Sequence, residues 1–183
     1  MAPFAADYPS LPADFFDQQR RSRRKVVHRL AVRSAAPTTG TVDLIRNWSG
    51  GGDPEVIPAL TAVVERDPDV AVKRAALSGL ARIADGAAIP GLLLGLRSSD
   101  RASRTHATKG LAKLCAREAV PDLVELLEDR YSANSAAQAL LAIRDERALG
   151  PLRLAATHGW PWRRLQMRRS VRAFERALGY GDI

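Results

Sequence analysis

Two stretches of the chain match each other: DVAVKRAALSGLARIADGAAIPGL, residues 69–92, and DRASRTHATKGLAKLCAREAVPDL, residues 100–123. A shift of 31 residues superposes them and places Leu80 on Leu111. A further shift of 29 residues brings Leu140 to the same position. A period near 30 residues, sustained over three copies, is typical of a stacked helical array.

Each copy is predicted to contain two helices. The first begins near a proline, which loses little there because the first-turn amides of a helix have no internal acceptor. The predicted first helices span about 54–65, 87–97, 118–128 and 147–157. The predicted second helices span about 69–84, 101–115, 131–144 and 162–178. The predicted N-cap residues are Asp53, Asp69, Asp100 and Asp129.

Apolar residues in the second helices recur at three- and four-residue spacing, which predicts one buried face. In the first of these helices they are Val72, Ala76, Leu80 and Ile83. Two glycines, Gly79 and Gly110, recur at the same phase inside helices, where each costs about 1 kcal/mol relative to alanine. Their recurrence predicts a place where two helices approach closely.

Residues 69–92 resemble the HEAT repeat, in the short bacterial variety often called phycobilisome-lyase-like HEAT repeats. The resemblance covers about residues 53–178 and is carried by Asp, Val-Lys-Arg, Ala-Ala, Leu, Ile, Pro and Leu marks. It implies an all-α fold, a right-handed α-solenoid of stacked helical hairpins whose second helices line the concave side. Most such arrays bind other macromolecules. Nothing in the sequence marks a chromophore pocket, so phycobilin chemistry is not carried over with the name.

The chain is predicted to have two parts. Residues 1–40 form a basic helix and linker, a candidate N-terminal cap, and residues 41–183 form the repeat array. TVDLIRNW, residues 41–48, is predicted to be a short helix, and the Arg-rich last helix is the candidate C-terminal cap. Solenoids need atypical terminal units to cover their exposed apolar faces.

The formal net charge is +8, and it is concentrated at the two ends. Residues 18–42 carry seven basic residues and no acid, and residues 161–178 carry six arginines against one acid, Glu175. This distribution indicates an anionic partner: nucleic acid, an acidic protein surface or a membrane surface. The alternative is a solvated, Arg-biased surface without a partner.

A polar stripe runs along the second helices, opposite the apolar residues. It consists of Arg74, Ser78 and Arg82, then Thr105, Lys109 and Lys113, then Asn134, Gln138 and Ala142, and it returns at Arg169. Near the end of the chain Trp160 and Trp162 flank Pro161 beside two arginines, a cluster able to stack on bases or on a partner's side chains. The alternative is that both tryptophans close the core. The predicted partner-binding residues are Arg74, Arg82, Lys109, Lys113, Trp160, Trp162, Arg163, Arg164 and Arg169.

The sequence offers no constellation for catalysis, and we expect no metal and no cofactor. HEAT-like iron hydroxylases resemble arrays with His-Glu pairs, whereas His28, His106 and His158 are followed by Arg, Ala and Gly. His106 is predicted to lie on a helix surface and Cys115 to be a small buried residue. A HEAT-like DNA glycosylase needs a carboxylate near the lesion, and none is placed convincingly.

These features predict a non-catalytic scaffold that binds a macromolecular partner, with an acidic protein surface as the first expectation. The runner-up is nucleic acid, bound by the same stripe and the basic terminal helices. A third class is peripheral membrane association through residues 12–33. The N-terminus has acids and prolines where a signal peptide needs a basic start, and no apolar run approaches the ~20 residues of a membrane helix. We therefore expect a cytoplasmic protein.

Overall fold

A computed structural model of the protein describes residues 42, 43, 45, 46, 54–158 and 161–180, with the backbone alone at 161 and 162. These residues are helical or form turns, and none of them is in a strand. The helices are α1 (Ile57–Arg66), α2 (Val70–Ile83), α3 (Ile89–Leu96), α4 (Arg101–Lys113), α5 (Val120–Glu125), α6 (Ala133–Ile143), α7 (Leu149–Ala155) and α8 (Pro161–Ala177). The predicted hairpins are thus confirmed, while the predicted N-terminal helix lies outside the described residues.

A short 3₁₀ turn precedes each first helix. The turns span Pro54–Val56, Gly86–Ala88, Arg117–Ala119 and Glu146–Ala148. Pro58, Pro90 and Pro121 then occupy the first turn of α1, α3 and α5. Pro151 is the third residue of α7, still within its first turn. The prolines therefore lie where an amide hydrogen is not needed.

Two of the predicted N-caps close their helices as expected. The Asp69 carboxylate accepts a hydrogen bond of 2.7 Å from the Ala71 amide at the start of α2. The Asp100 carboxylate accepts one of 2.8 Å from the Ser103 amide at the start of α4. Each bond satisfies an amide that has no partner inside its helix. Asp53, another of the four predicted N-caps, lies outside the described residues.

The prediction for Asp129 was wrong, because a turn of three residues separates it from α6. Ser132 takes the N-cap position, without a side-chain bond to the helix. Asp129 instead accepts a hydrogen bond of 2.9 Å from the Tyr131 amide within the turn. The sequence analysis also missed two caps: Asp85 accepts a hydrogen bond from the Ala87 amide in the second 3₁₀ turn, and Asp145 accepts one from the Arg147 amide in the fourth.

The hairpins share one continuous core. The second helices α2, α4, α6 and α8 pack side by side, and the first helices α1, α3 and α5 form the adjoining layer. Leu80, Leu111 and Leu140, the three residues superposed by the sequence repeat, are each 0% exposed. They belong to a single cluster of buried residues that extends from Ile45 to Phe174.

Glycine allows the helices to approach closely, as the sequence predicted for Gly110. A β-carbon at Gly110 would lie 2.9 Å from Leu92 Cδ1 and 3.0 Å from Ala81 Cβ. Gly79 is buried in α2. A β-carbon at Gly95, in the first-helix layer, would lie 2.4 Å from Leu77 Cδ2, a contact that the sequence reading did not anticipate.

The prediction that Cys115 is buried was wrong, and the cause is the way α4 ends. The helix stops at Lys113, so Cys115 falls in the following turn, is exposed, and has a φ of 50°. Ala84 and Arg144, which follow α2 and α6, adopt the same left-handed conformation with φ of 51° and 55°. In the first three hairpins a residue other than glycine therefore takes this conformation, directly after α2 and α6 and two residues after α4.

Candidate functional site

The polar stripe of the second helices forms an exposed face. Arg74, Arg82, Lys109 and Lys113 are exposed, and so are Asn134, Gln138 and Ala142 in α6. The buried leucines of the same helices point to the opposite side, because residues three or four apart share a face and those between them do not. We call the exposed side of α2, α4 and α6 the second-helix face. Its charge is confined to α2 and α4, since α6 contains no charged residue.

At the N-terminal end of this face, arginines link successive repeats. Arg74 of α2 donates two hydrogen bonds of 3.0 and 3.1 Å to the Asp100 carboxylate at the start of α4. Arg104 of α4 donates one of 2.7 Å to Asp129 and one of 3.0 Å to Ser132. The guanidinium of Arg74, a predicted partner-binding group, thus already holds a carboxylate within the array.

These links lower the pKa of the aspartates. The hydrogen bond from Arg74 lowers the pKa of Asp100 to about 2, against a smaller opposing effect of burial. Burial raises the pKa of Asp129, but hydrogen bonds from Tyr131, Ser132 and Arg104 outweigh it, and the pKa is lowered. Both carboxylates are therefore ionised near neutral pH, and the links between repeats are ion pairs.

A groove of about 320 Å³ opens at one end of the second-helix face. Its lining comprises Val42, Arg46, Ala71, Arg74, Ala75, Ser78, Arg82 and His106. Five of these residues lie on α2, while Val42 and Arg46 come from the segment before the repeats and His106 comes from α4. Arg82 donates a hydrogen bond of 2.7 Å to the Arg46 carbonyl, which fixes the short N-terminal helical stretch against α2. Three guanidinium groups thus border one depression.

His106, which the sequence predicted on a helix surface, is half-buried in a wall of this groove. Burial lowers its pKa, and the charges of Lys109 and Arg74 lower it further, while Asp100 acts in the opposite direction. The imidazole is therefore neutral at neutral pH. The sequence analysis did not predict that His106 lines a groove. The three-residue spacing of His106 and Lys109 shows only that they are neighbours on the surface of α4.

Lys109 and Lys113 differ from the arginines of the face. Both side chains are exposed, and neither makes an ion pair with another described residue. They lie one helical turn apart on α4, next to the groove wall formed by His106. Both predicted site residues of α4 thus carry a charge that no described acid neutralises.

The second-helix face continues into α8. Gln166 of α8 donates a hydrogen bond of 2.8 Å to Asn134 of α6, so a neutral amide pair joins α6 to α8. Arg169 is exposed and follows Gln166 by three residues, which puts the two on the same side of α8. The basic part of the second-helix face is therefore separated from α8 by uncharged α6.

The predicted cluster near the C-terminal helix is only partly described. Trp160 and the side chain of Trp162 lie outside the described residues. Arg163 is half-buried and donates a hydrogen bond to the Leu127 carbonyl, which is a contact within the array. Arg164 is exposed and lies on the side of α8 that carries Glu175, away from Gln166. The structure thus distributes these arginines over different sides of α8.

The described residues contain no group of three or more His, Cys, Asp or Glu side chains placed to hold a metal ion. The two carboxylates nearest the groove are each held by an arginine: Asp43 by Arg46 at 3.3 Å and Asp100 by Arg74. Among the described helices, none combines the length and the apolar character needed to cross a membrane.

The fold and the face define the class of protein: an α-solenoid of repeated helical hairpins with a polar surface on its second helices. The profile of HEAT repeats matches residues 57–144 and 89–172. The chain therefore belongs to the HEAT-repeat family, and its fold is a right-handed α-solenoid, as the sequence resemblance implied. A search of curated protein sequences finds no match to the chain.

Solved structures agree with this assignment of the fold. The chain is similar to one in the complex of CpcE and CpcF of phycocyanin lyase from Nostoc sp. PCC7120, with a TM-score of 0.68 and 18% sequence identity. The similarity covers 99% of this chain and 72% of the other. At that identity the likeness concerns the arrangement of helices.

Proposed function

We propose that this protein is a non-catalytic HEAT-repeat scaffold that binds an acidic protein surface with its second-helix face. The observation that carries the proposal is the pair Lys109 and Lys113, exposed and without ion pairs in the described chain, beside the arginine-bordered groove. Acidic side chains of a partner would pair with the two lysines, and a carboxylate entering the groove would meet Arg46 and Arg82.

The shape of the face supports a macromolecule as the ligand. Neighbouring helices pack about 8–10 Å apart, so α2, α4 and α6 together offer a surface more than about 20 Å wide. Most of the residues that line the groove are polar or charged and three of them are arginines, whereas small-molecule sites are mostly apolar. The solved relative was determined as a complex of two proteins, which is in keeping with a scaffold that has a protein partner.

The chemistry of the groove supports binding rather than catalysis. Its titratable groups are three arginines and the neutral His106. The carboxylates beside it are engaged with Arg46 and Arg74, so they are not placed to act as general bases toward a bound molecule. Arginines that border a depression are suited to hold an anion in place.

The proposal is tested by affinity capture from the native host with the wild-type chain and two charge-reversed variants, each with and without nuclease. Lys109→Glu with Lys113→Glu alters the proposed face. Arg66→Glu with Arg117→Glu makes the same change in charge at exposed positions of the first-helix segments. We expect the wild type and the control pair to retain a captured protein after nuclease treatment. We expect the lysine pair to lose that protein.

Titration with duplex DNA and structured RNA at two salt concentrations separates the runner-up. Binding of nucleic acid that weakens steeply with salt and is abolished by the lysine pair would place a nucleic acid on the second-helix face. That result would contradict the proposal, as would a captured protein that is retained equally by both variants.

A further inference from the structure

The outward side of α8 carries the most concentrated uncompensated charge of the described residues. Met167, Val171 and Phe174 bury one side of this helix against α6 and α7. The opposite side presents Arg168, Arg169, Arg172 and Arg176, all exposed, together with Leu165, which is 54% exposed. At 3.6 residues per turn these five positions fall within about 100° of the helix circumference. We call this side the α8 arginine row.

No acidic side chain balances this row within the described chain. Glu175, the acid of α8, falls within about 20° of Arg168 on the helix circumference, but it accepts hydrogen bonds of 2.6 and 3.0 Å from Arg153 of α7. The four arginines of the row make no ion pair with a described residue. Elsewhere in the array Arg74, Arg97 and Arg104 each pair with an aspartate of the next repeat. The α8 arginines are therefore not part of the fold's own network of ion pairs.

The arrangement is unfavourable for an isolated helix. Arg168, Arg172 and Arg176 follow one another at four-residue spacing, where like charges destabilise a helix. The first turn of α8 contains no acid to complement the helix dipole. An anion that bridges the arginines would remove this repulsion, so binding and helix stability would increase together.

The chemistry of the row favours phosphates over the surface of a protein. Protein interfaces are enriched at their centre in aromatic and other apolar anchors, and Leu165 is the exposed apolar residue of this row. Interfaces with nucleic acid are more polar and more positively charged. Guanidinium groups bind phosphates through paired hydrogen bonds.

The spacing of the row suits a duplex backbone. Successive arginines at four-residue intervals are about 6 Å apart along the helix, and each strand of DNA offers one phosphate per about 3.4 Å of axis. Gln166 is engaged with Asn134, so it is not available to read base edges. A duplex presents the phosphates of both strands, one charge per about 1.7 Å of axis, so several arginines of the row can each contact a phosphate.

We infer that the α8 arginine row binds the phosphate backbone of double-stranded nucleic acid without sequence preference. Uncharged α6 separates the row from the charged residues of α2 and α4, so the inference does not depend on the protein partner proposed above. With four phosphate contacts the logarithm of the binding constant falls with the logarithm of salt concentration with a slope of about −3.6.

The test measures fluorescence anisotropy of a labelled duplex of about 20 base pairs, at salt concentrations between about 0.05 and 0.2 M, where backbone binding is most sensitive to ions. The variant carries Arg168→Gln, Arg172→Gln and Arg176→Gln, since glutamine is a good helix former. The matched control, Arg66→Gln with Arg117→Gln and Arg130→Gln, loses the same charge at exposed positions outside α8 and outside the second-helix face. Circular dichroism establishes that both variants are folded.

We expect wild type and the control to bind with similar affinity and two duplexes of unrelated sequence to bind equally. The α8 variant loses about tenfold in affinity per arginine at about 0.1 M salt, and its salt slope falls by about one per arginine. The inference is overturned if wild type does not bind the duplex at the lowest salt, or if the control loses as much as the α8 variant. Binding to vesicles of anionic lipid or to an acidic peptide, with no binding to the duplex, also overturns it.

Discussion

The bidentate contact between Arg74 and Asp100 shows how one residue ties two repeats together. The Asp100 carboxylate accepts from Arg74 of the preceding second helix and also caps its own helix through Ser103. Its folded pKa of about 2 lies below the ordinary 3.8. A carboxyl group whose pKa is depressed on folding contributes stability above its unfolded pKa, and this contribution is lost as the pH falls through the folded value.

We therefore expect Arg74→Gln to reduce the acid sensitivity of the protein. In wild type the stabilisation from the ionised Asp100 is present above about pH 4 and disappears toward about pH 2. The variant lacks most of it at every pH, so its free energy of unfolding changes less between about pH 6 and about pH 2.5. Urea unfolding at both pH values measures the difference. Arg66→Gln, at an exposed pair with Glu65, is the control, and an equal change in both variants would contradict this account.

The left-handed turn at Cys115 gives a second prediction at this scale. The left-handed conformation costs a residue with a β-carbon about 1–2 kcal/mol. Glycine avoids this cost but loses more conformational entropy on folding, so the net stabilisation is smaller. We expect Cys115→Gly to raise the free energy of unfolding by about 0.5–1 kcal/mol relative to Cys115→Ala. Ala142→Gly, within α6, is expected to lower it by about 1 kcal/mol. A free energy of unfolding that is lower in Cys115→Gly than in Cys115→Ala would contradict the prediction.

At the scale of helices, Gly110 determines how closely α4 approaches its neighbours. Alanine is a better helix former by about 1 kcal/mol, but its β-carbon would meet Leu92 and Ala81 at about 3 Å. Because overpacking a core costs about 1–3 kcal/mol, we expect Gly110→Ala to lower the midpoint of thermal unfolding. Gly150→Ala in α7 is the matched control, since nothing lies within 4 Å of its β-carbon, and there we expect no loss. Similar behaviour of the two variants would show that Gly110 is not a packing constraint.

The helices were predictable because each has several agreeing signals. Apolar spacing and the repeat period, with a proline in the first turn of each first helix, together located the eight α-helices of the described residues. Their ends were harder to predict, because the left-handed turns at Ala84, Cys115 and Arg144 are formed without glycine. The turn that displaced Asp129 from its helix contains no proline or glycine either, so no local signal distinguishes it from a helix start.

The candidate site was predictable in outline only. Helical spacing alone puts Arg74, Arg82, Lys109 and Lys113 on one exposed face. It does not show that Arg74 is engaged by Asp100, 26 residues away, because that contact depends on how repeats stack. The same limit applies to the groove, whose Arg46 comes from a segment preceding the repeats.

For the molecule as a whole, the continuous core predicts that the described hairpins unfold together. Leu111 lies at the centre of the array and is 0% exposed, so Leu111→Ala removes contacts on both sides of α4. We expect a loss of about 2–5 kcal/mol in the free energy of unfolding, the usual range for a large-to-small change in a core, with a single transition. Leu154→Ala, at a residue that is 59% exposed, should change stability by less than about 0.5 kcal/mol. Two separate transitions in the wild type would contradict a shared core.

The α8 arginine row also bears on how copies of the chain meet each other. An exposed side of a helix in a repeat array is able to accept another helical layer from a second molecule. Two copies that approached through α8 would bring rows of like charge together, which opposes open-ended growth of the kind that produces fibres. Because ions screen this repulsion over about 10 Å at 0.1 M salt, concentrated salt or a bridging polyanion would weaken the barrier to self-association.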